Sequence, residues 1–80
     1  MHTAEVEPLV WTRNLDPAVR QRIREDAQLS RQELADGVGV SAVAIWRYET
    51  GQRRPSGDVG RRYCRLLYEL ALASRAKVAA

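Results

Sequence analysis

The central segment of the chain constrains the fold most, because it marks the starts and ends of two short helices. Ser30, followed three residues later by Glu33, has the form of a capping box, in which each side chain satisfies a free backbone N–H at a helix start. Gly39 sits where this helix must stop, since a left-handed backbone costs glycine almost nothing. Ser41 can cap a second helix, and Gly51 ends it. The segment therefore predicts two helices joined by a turn too short to contain a strand.

Two more helices are predicted on either side of this segment. Asp16 followed by Pro17 supplies an N-cap acceptor and the residue favoured at the first helical position. Gly57 and Gly60 weaken the first turns of the last helix. This helix can therefore have an irregular start or be broken into two pieces. The four helices are predicted over residues 17–27, 31–38, 42–50 and from 56 or 57 to 74.

The two ends of the chain are predicted to lie outside the helical domain. Residues 1–15 form a mobile or loosely docked arm, whose apolar run at 9–11 can cover either the domain's own core or a second subunit. Residues 16–75 form the helical domain, and the alanine-rich residues 76–80 form a frayed tail. The sequence therefore predicts one all-α domain with short flanking segments.

Composition excludes several classes of protein. No stretch approaches the roughly 20 apolar residues of a membrane span, and Glu5 and Glu7 interrupt the region where a signal peptide would be apolar. Cys64 is the only cysteine, so no internal disulfide forms, and without a Cys/His cluster no metal site is expected. His2 is the only histidine, and Cys64 lacks a nearby base, so we expect no enzymatic activity. The sequence predicts a cytoplasmic protein with no cofactor and no small-molecule substrate.

Positive charge is concentrated in one part of the chain. The net charge is +3, and between residues 47 and 65 six arginines face only two acidic residues, Glu49 and Asp58. Arginine can donate two parallel hydrogen bonds to phosphate or to guanine, whereas lysine acts as a point charge. A GC-rich genome explains the arginine bias equally well through codon usage. The charge therefore permits binding to nucleic acid without establishing it.

Residues 19–70 resemble the Cro/C1-type (XRE) helix-turn-helix family. The likeness rests on two patterns, I-R-x-x-x-x-L-S-R-x-E-L-A-x-x-V-G-V-S from Ile23 and I-x-R-Y-E-x-G-x-R-x-P from Ile45. The family has apolar residues, one small residue and one glycine at the positions of Leu34, Ala35, Val38, Gly39, Val40, Ile45 and Tyr48. The resemblance implies an all-α, compact, lambda-repressor-like fold of four to five helices with a central helix-turn-helix. The second helix of that unit lies in the major groove of DNA.

The resemblance also implies roles for individual residues. Arg47 is expected to donate twice to guanine, with a phosphate contact or a solvated side chain as the alternative. Helix ends and the loop after the unit are expected to contact the DNA backbone. The expected base contacts are Ala42, Val43, Ala44 and Arg47. The expected backbone contacts are Arg31, Gln32, Ser41, Thr50, Arg53 and Arg54.

Two further positions carry expectations from the resemblance. In relatives, an arginine of the first helix pairs with a glutamate at the end of the third, which implies a structural ion pair between Arg24 and Glu49. Trp46 is expected on the outer side of the third helix. There it can stack on a sugar–phosphate edge, pack on the basic loop, contact a second protein or lie over the arm near Trp11.

The family likeness implies that the chain binds double-stranded DNA as a small transcriptional regulator, such as a phage Cro-like repressor. A homodimer through the last helix and tail is expected, because Tyr68 and Leu72 cannot face the same core as Leu66 and Leu70. A monomer that uses its arm as an extra DNA contact is the alternative. Other functions on the same fold are an antitoxin, an excisionase-like architectural protein and a protein-interaction adaptor.

Overall fold

The computed structural model describes residues 10–79, with side chains for residues 10–75. Predictions about His2 and Leu9 lie outside the described residues. The description begins in helical residues 10–13 and continues with α1 (Pro17–Asp26), α2 (Arg31–Val38), α3 (Ala42–Thr50) and α4 (Gly57–Ala79). No strand occurs in this part of the chain, and the all-α prediction is confirmed. None of the described helices is long and apolar enough to cross a membrane.

Local capping explains why α2 and α3 begin and end where the sequence predicts. The Ser30 hydroxyl oxygen accepts from the Glu33 N–H at 3.0 Å, and the Glu33 carboxylate accepts from the Ser30 N–H at 2.8 Å. Gly39 ends α2 with a φ of 89°, a left-handed backbone that residues with a Cβ rarely adopt. Ser41 caps α3 through its hydroxyl oxygen. The two helices therefore form a helix-turn-helix arrangement at the centre of the domain.

The core lies between α2, α3 and α4. Its aromatic part is a tilted pair, Tyr48 and Tyr63, with ring centroids 4.6 Å apart. Val40, one of the apolar positions of the family pattern, is partly buried and packs against this core. The buried apolar residues are Leu34, Ala35, Val38, Ile45, Tyr48, Tyr63, Cys64 and Leu67. Because α4 packs on the inner side of the helix-turn-helix, the described residues leave the outer side of α3 uncovered.

The buried face of α1 differs from its prediction. The helical spacing of Val19, Ile23 and Ala27 predicts an apolar inner face, and these residues are partly buried, with Ile23 packed against the core. The buried residues of this helix, however, are Arg20 and Arg24. Arg20 is 3% exposed, and its guanidinium donates to the backbone oxygens of Thr12 at 3.0 and 3.3 Å, Arg13 at 3.2 Å and Tyr48 at 3.1 Å. Buried donors need acceptors, and here carbonyl groups from elsewhere in the chain supply them. Helical spacing alone contains no information about such distant acceptors.

Residues 10–13, which belong to the arm that the sequence predicts to be mobile or loosely docked, pack against the domain. Thr12 is fully buried, and its hydroxyl donates to the Cys64 carbonyl oxygen at 3.2 Å. Trp11 packs edge-on against Tyr68, with ring centroids 5.3 Å apart. Of the two alternatives for the apolar run, packing on the chain's own domain is therefore present.

Helix α4 is continuous, neither broken at its glycines nor ended at residue 74. A Cβ at Gly60 would lie 2.7 Å from the Pro55 carbonyl carbon, so only glycine permits this approach of the helix to the preceding loop. The glycine therefore allows close packing, which offsets its low helix propensity. The helix continues to Ala79, so most of the tail predicted at 76–80 is helical.

Two buried side chains predict that the fold loses stability in alkaline solution. Burial raises the pKa of the Tyr63 hydroxyl above its ordinary 10.0 and the pKa of the Cys64 thiol above its ordinary 9.0. In the unfolded chain both groups lose their protons at the ordinary pKa, so above about pH 9 the unfolded state binds fewer protons than the folded state. The stability that these two protonated groups contribute to the free energy of unfolding is therefore fully present below that pH. It decreases as the pH rises further.

We expect the melting temperature to fall as the pH rises above about 9. Tyr63→Phe and Cys64→Ala should each reduce this fall, because each removes one of the titrating groups. The Tyr63 hydroxyl has no hydrogen-bond partner among the described residues, so Tyr63→Phe removes no hydrogen bond within them. Circular-dichroism melting curves at several pH values measure the effect. Identical pH profiles for the wild type and both variants would contradict this assignment.

Candidate nucleic-acid interface

The outer side of α3 carries apolar and cationic side chains together. Val43 is 55% exposed and Trp46 is 39% exposed, although both are large hydrophobic residues. Arg47 is exposed as well, whereas Ala42 and Ala44 are partly buried. Of the four expected base contacts, the structure therefore leaves two open to solvent and two partly covered. Trp46 faces outward as the sequence predicted.

The two hydroxyl groups at the ends of α3 differ in what they can still donate. The Ser41 hydroxyl oxygen accepts from the Ala44 N–H at 3.2 Å, which leaves its hydrogen available to a further acceptor. The Thr50 hydroxyl instead donates to the Trp46 carbonyl oxygen at 2.8 Å. Its single hydrogen is thereby used within the helix. A phosphate oxygen, which can only accept, therefore finds a donor more readily at Ser41 than at Thr50.

A buried ion pair ties α1 to the end of α3. The Glu49 side chain is 0% exposed, and its carboxylate accepts from Arg24 Nε at 2.6 Å and Arg24 Nη2 at 3.1 Å. Arg24 also donates to the Leu29 carbonyl oxygen at 2.9 Å. The hydrogen bond to Glu49 raises the pKa of the Arg24 guanidinium, while burial acts in the opposite direction. The two residues that the resemblance pairs thus lie in contact and fix the orientation of α3.

Two residues expected at the DNA backbone make contacts within the protein. Arg31 Nε donates to Glu49 Oε1 at 3.0 Å, so Glu49 has a second arginine partner that sequence reasoning did not identify. The Arg31 side chain is still 38% exposed. The Gln32 side-chain amide donates to Asp36 Oδ1 at 2.8 Å on the surface of α2. Both side chains lie at the start of α2, where the free N–H groups of the helix end also point outward.

Three arginines of α4 contact acceptor or acidic groups within the protein. Arg62 Nε donates to the Val38 carbonyl oxygen at 3.0 Å, which places a cation at the C-terminal end of α2. Arg65 pairs with Glu69 at 3.4 Å on the surface of the same helix. Arg61 also has an acidic neighbour, since it lies 4.0 Å from Asp58. The spacings of three and four residues in the sequence already indicated the last two pairs, but nothing local indicated the first.

The arginines in and after α3 form a contrasting group. Arg47, Arg53 and Arg54 are all exposed. Within the described part of the chain, their guanidinium groups take part in none of the ion pairs. Arg47 lies in the last turns of α3, and the other two lie in the loop that follows. Three exposed arginines without an ion pair among the described residues therefore lie together at the C-terminal end of α3, whereas Arg22 on α1 and Arg75 on α4 are isolated exposed cations.

The exposed side of α3 and the loop after it present groups suited to binding another molecule. No group of three or more His, Cys, Asp or Glu side chains among the described residues is placed to hold a metal ion. The thiol of Cys64 is buried in the core, away from this surface. The surface offers hydrogen-bond donors, positive charge and apolar side chains, which are the groups that contact phosphates and base edges in DNA complexes.

Comparison with known protein families also identifies a helix-turn-helix in this chain. The family model described as "Helix-turn-helix domain" matches residues 21–78, which include all four helices except the first residues of α1 and the last of α4. No curated protein and no solved structure gives a match. Because the model covers well over half of the chain, this protein belongs to the helix-turn-helix domain family, a family of DNA-binding domains.

Proposed function

We propose that this protein binds double-stranded DNA in a sequence-specific manner, with α3 in the major groove, and acts as a small transcriptional regulator of the Cro/C1 type. The observation that carries the proposal is the exposed side of α3. It combines an exposed valine and tryptophan with Arg47, and the loop that follows adds Arg53 and Arg54. These three arginines make no ion pair within the described protein. A helix with these properties, at the second position of a helix-turn-helix, matches the groove-reading helix of such proteins.

Base recognition in this proposal depends on Arg47 and on the apolar first turn of α3. Arg47 donates two hydrogen bonds to O6 and N7 of a guanine, a bidentate contact that other bases do not offer. Val43 contacts the methyl group of a thymine, supported by its exposed position. Because the side chains of Ala42 and Ala44 are small, the backbone of the helix can approach the base edges. They contribute shape more than contact area, because both are partly buried.

In this proposal, contacts to the DNA backbone come from both ends of the helix-turn-helix. Ser41 donates its free hydroxyl hydrogen to a phosphate, and Arg53 and Arg54 reach the phosphates on the other side. Arg31 keeps its outer N–H groups available while its Nε stays on Glu49. We assign Gln32 and Thr50 weaker contacts, since each already donates within the protein.

We further propose that two copies bind together, through the exposed side of α4. Leu72 is 47% exposed, and it borders a shallow depression of about 260 Å³ that Trp11 and Tyr68 also line. Twofold dimers are the usual arrangement of helix-turn-helix proteins on DNA. A second copy of this chain would cover these apolar side chains.

Leu72→Glu is expected to shift the protein from dimer to monomer, because it places a charge at the centre of the proposed contact. Sedimentation equilibrium of the wild type and the variant measures the change. Arg61→Glu, a change at a more exposed position on the same helix, is the control and should leave the dimer intact. A wild type that remains a monomer at every concentration would reject the dimer and favour a monomeric regulator.

The regulatory role has a direct test in a bacterial reporter. A DNA site selected by the protein is placed across a promoter, and expression is measured with and without the protein. The proposal predicts lower expression with the wild type and normal expression with Arg47→Ala. Such a regulator would act in the cytoplasm, bound to the nucleoid of its host. If a site bound tightly in vitro leaves expression unchanged, the repressor role is wrong and an architectural role is favoured.

A further inference from the structure

A second cationic feature lies at the C-terminal end of α3, where α1 begins. There the surface forms an open depression of about 440 Å³ whose lining includes Arg13, Arg20, Arg53 and Arg54. One acidic side chain, Asp16, also lines it, so the lining carries a net charge of +3. This volume falls within the roughly 300–1,000 Å³ of ligand pockets in general. The depression is therefore large enough to hold a small anion or one unit of a phosphate chain.

The arginine at the base of this depression carries a charge that no described carboxylate balances. Arg20 is 3% exposed, and all its hydrogen bonds go to neutral backbone oxygens. No ion pair among the described side chains includes it. A buried charge without a counter-charge is costly, and carbonyl dipoles offset only part of that cost. An anion in the depression would supply the missing negative charge.

The neighbouring Arg13 adds an independent observation. Its Nε is buried and has no hydrogen-bond partner among the described residues. Buried donors are nearly always satisfied, so an unsatisfied one calls for an acceptor. Asp16 does not provide it: its carboxylate accepts from the Ala18 N–H at 3.0 Å and makes no ion pair with Arg13. The depression is therefore lined by four cations, one of which, Arg13, has a buried Nε without an acceptor among the described residues.

We propose that this depression is a phosphate-binding site in which Arg13, Arg53 and Arg54 contact the anion and Arg20 holds the site in shape. Two of its lining arginines, Arg13 and Arg20, precede the residues 21–78 that the family model matches. Gly51, the C-cap of α3, also lines the depression, so a bound phosphate lies beside the groove-reading helix. The phosphate comes either from the DNA backbone that flanks the bound site, an assignment that rests on the proposed function, or from a free phosphate compound.

The first arm of the test measures DNA binding at several salt concentrations. Arg13→Gln is expected to weaken binding of a selected duplex about fivefold to tenfold at about 0.1 M salt and to reduce the salt slope by about 1. Arg13→Lys keeps the charge and should restore most of the slope. Arg65→Gln removes the same charge from an exposed site on α4 and is the control. If Arg13→Gln and Arg65→Gln behave alike, DNA phosphate is not the occupant.

The second arm titrates inorganic phosphate into the DNA-free protein and follows backbone amide signals by NMR. Saturable shifts at Arg13, Gly51 and Arg53 that disappear in Arg13→Gln identify a free phosphate as an occupant. They uphold the site even if the protein binds no DNA, in which case the proposed function alone fails. If neither arm depends on Arg13, the site is overturned. Melting curves of each variant verify that it is folded, and Arg54→Gln provides a second variant at the rim of the depression.

Discussion

Glu49→Ala is expected to lower the free energy of unfolding by about 3–5 kcal/mol, the largest effect of any single change considered for this protein. The substitution leaves the Arg24 guanidinium, whose side chain is 9% exposed, without its carboxylate. Removal of one partner from a buried pair leaves an uncompensated charge, which costs more than the pair itself contributes. A domain of this size has only about 4–12 kcal/mol of stability in total. Urea denaturation at low temperature measures the loss.

Three related variants separate the ion pair from other effects of the change. Glu49→Gln keeps the side-chain volume and one acceptor, so it should fall between the wild type and Glu49→Ala. Arg31→Ala removes the outer, more exposed partner and should cost less than about 1 kcal/mol. The double variant Arg24→Ala with Glu49→Ala should be more stable than the sum of the single losses predicts. Strict additivity in this cycle would show that the two side chains do not act as a pair.

Arg47→Ala is expected to weaken binding to a selected DNA site by about 1–3 kcal/mol, or roughly fivefold to 150-fold, if Arg47 reads a guanine as proposed. Binding to random-sequence duplexes should change much less, since phosphate contacts by other residues remain. The fold should be unaffected, because the side chain is exposed and makes no ion pair within the described part of the chain. Fluorescence anisotropy titrations with both kinds of duplex give the comparison.

A modified base makes this comparison specific to one hydrogen bond. Replacement of the contacted guanine by 7-deazaguanine removes the N7 acceptor and should weaken binding by the wild type but not by Arg47→Ala. Arg65→Ala, which changes the same charge on an exposed part of α4, serves as the control. An equal loss on specific and random duplexes would instead assign Arg47 to a phosphate.

The sequence predicted best those parts of the fold that short-range chemistry determines. The boundaries of α2 and α3 follow from caps and glycines within three or four residues, such as Ser30 with Glu33 and the left-handed Gly39. The periodic core residues of these helices follow from the same local pattern. The family resemblance supplied what local chemistry could not, namely that Arg24 and Glu49, 25 residues apart, meet.

Long-range contacts explain what the sequence did not predict. Arg20 is buried because carbonyl groups from residues 12, 13 and 48 converge on it, which no helical period reveals. Gly60 does not break α4, because the helix start packs closely against Pro55. The charge pattern likewise could not separate Arg62, which caps α2, from arginines that remain exposed. These assignments need the positions of distant backbone atoms.

The central claim, that α3 reads a DNA sequence, is tested most directly by selection of bound duplexes from a random DNA pool, followed by titration of the enriched duplex in competition with random DNA. The account predicts an enriched palindrome with half-sites about one helical turn apart, bound about 10³-fold or more tightly than random sequence. The account would be contradicted if no duplex is enriched and the affinity for DNA decreases steeply with salt concentration. That result would mean that the protein contacts phosphates alone.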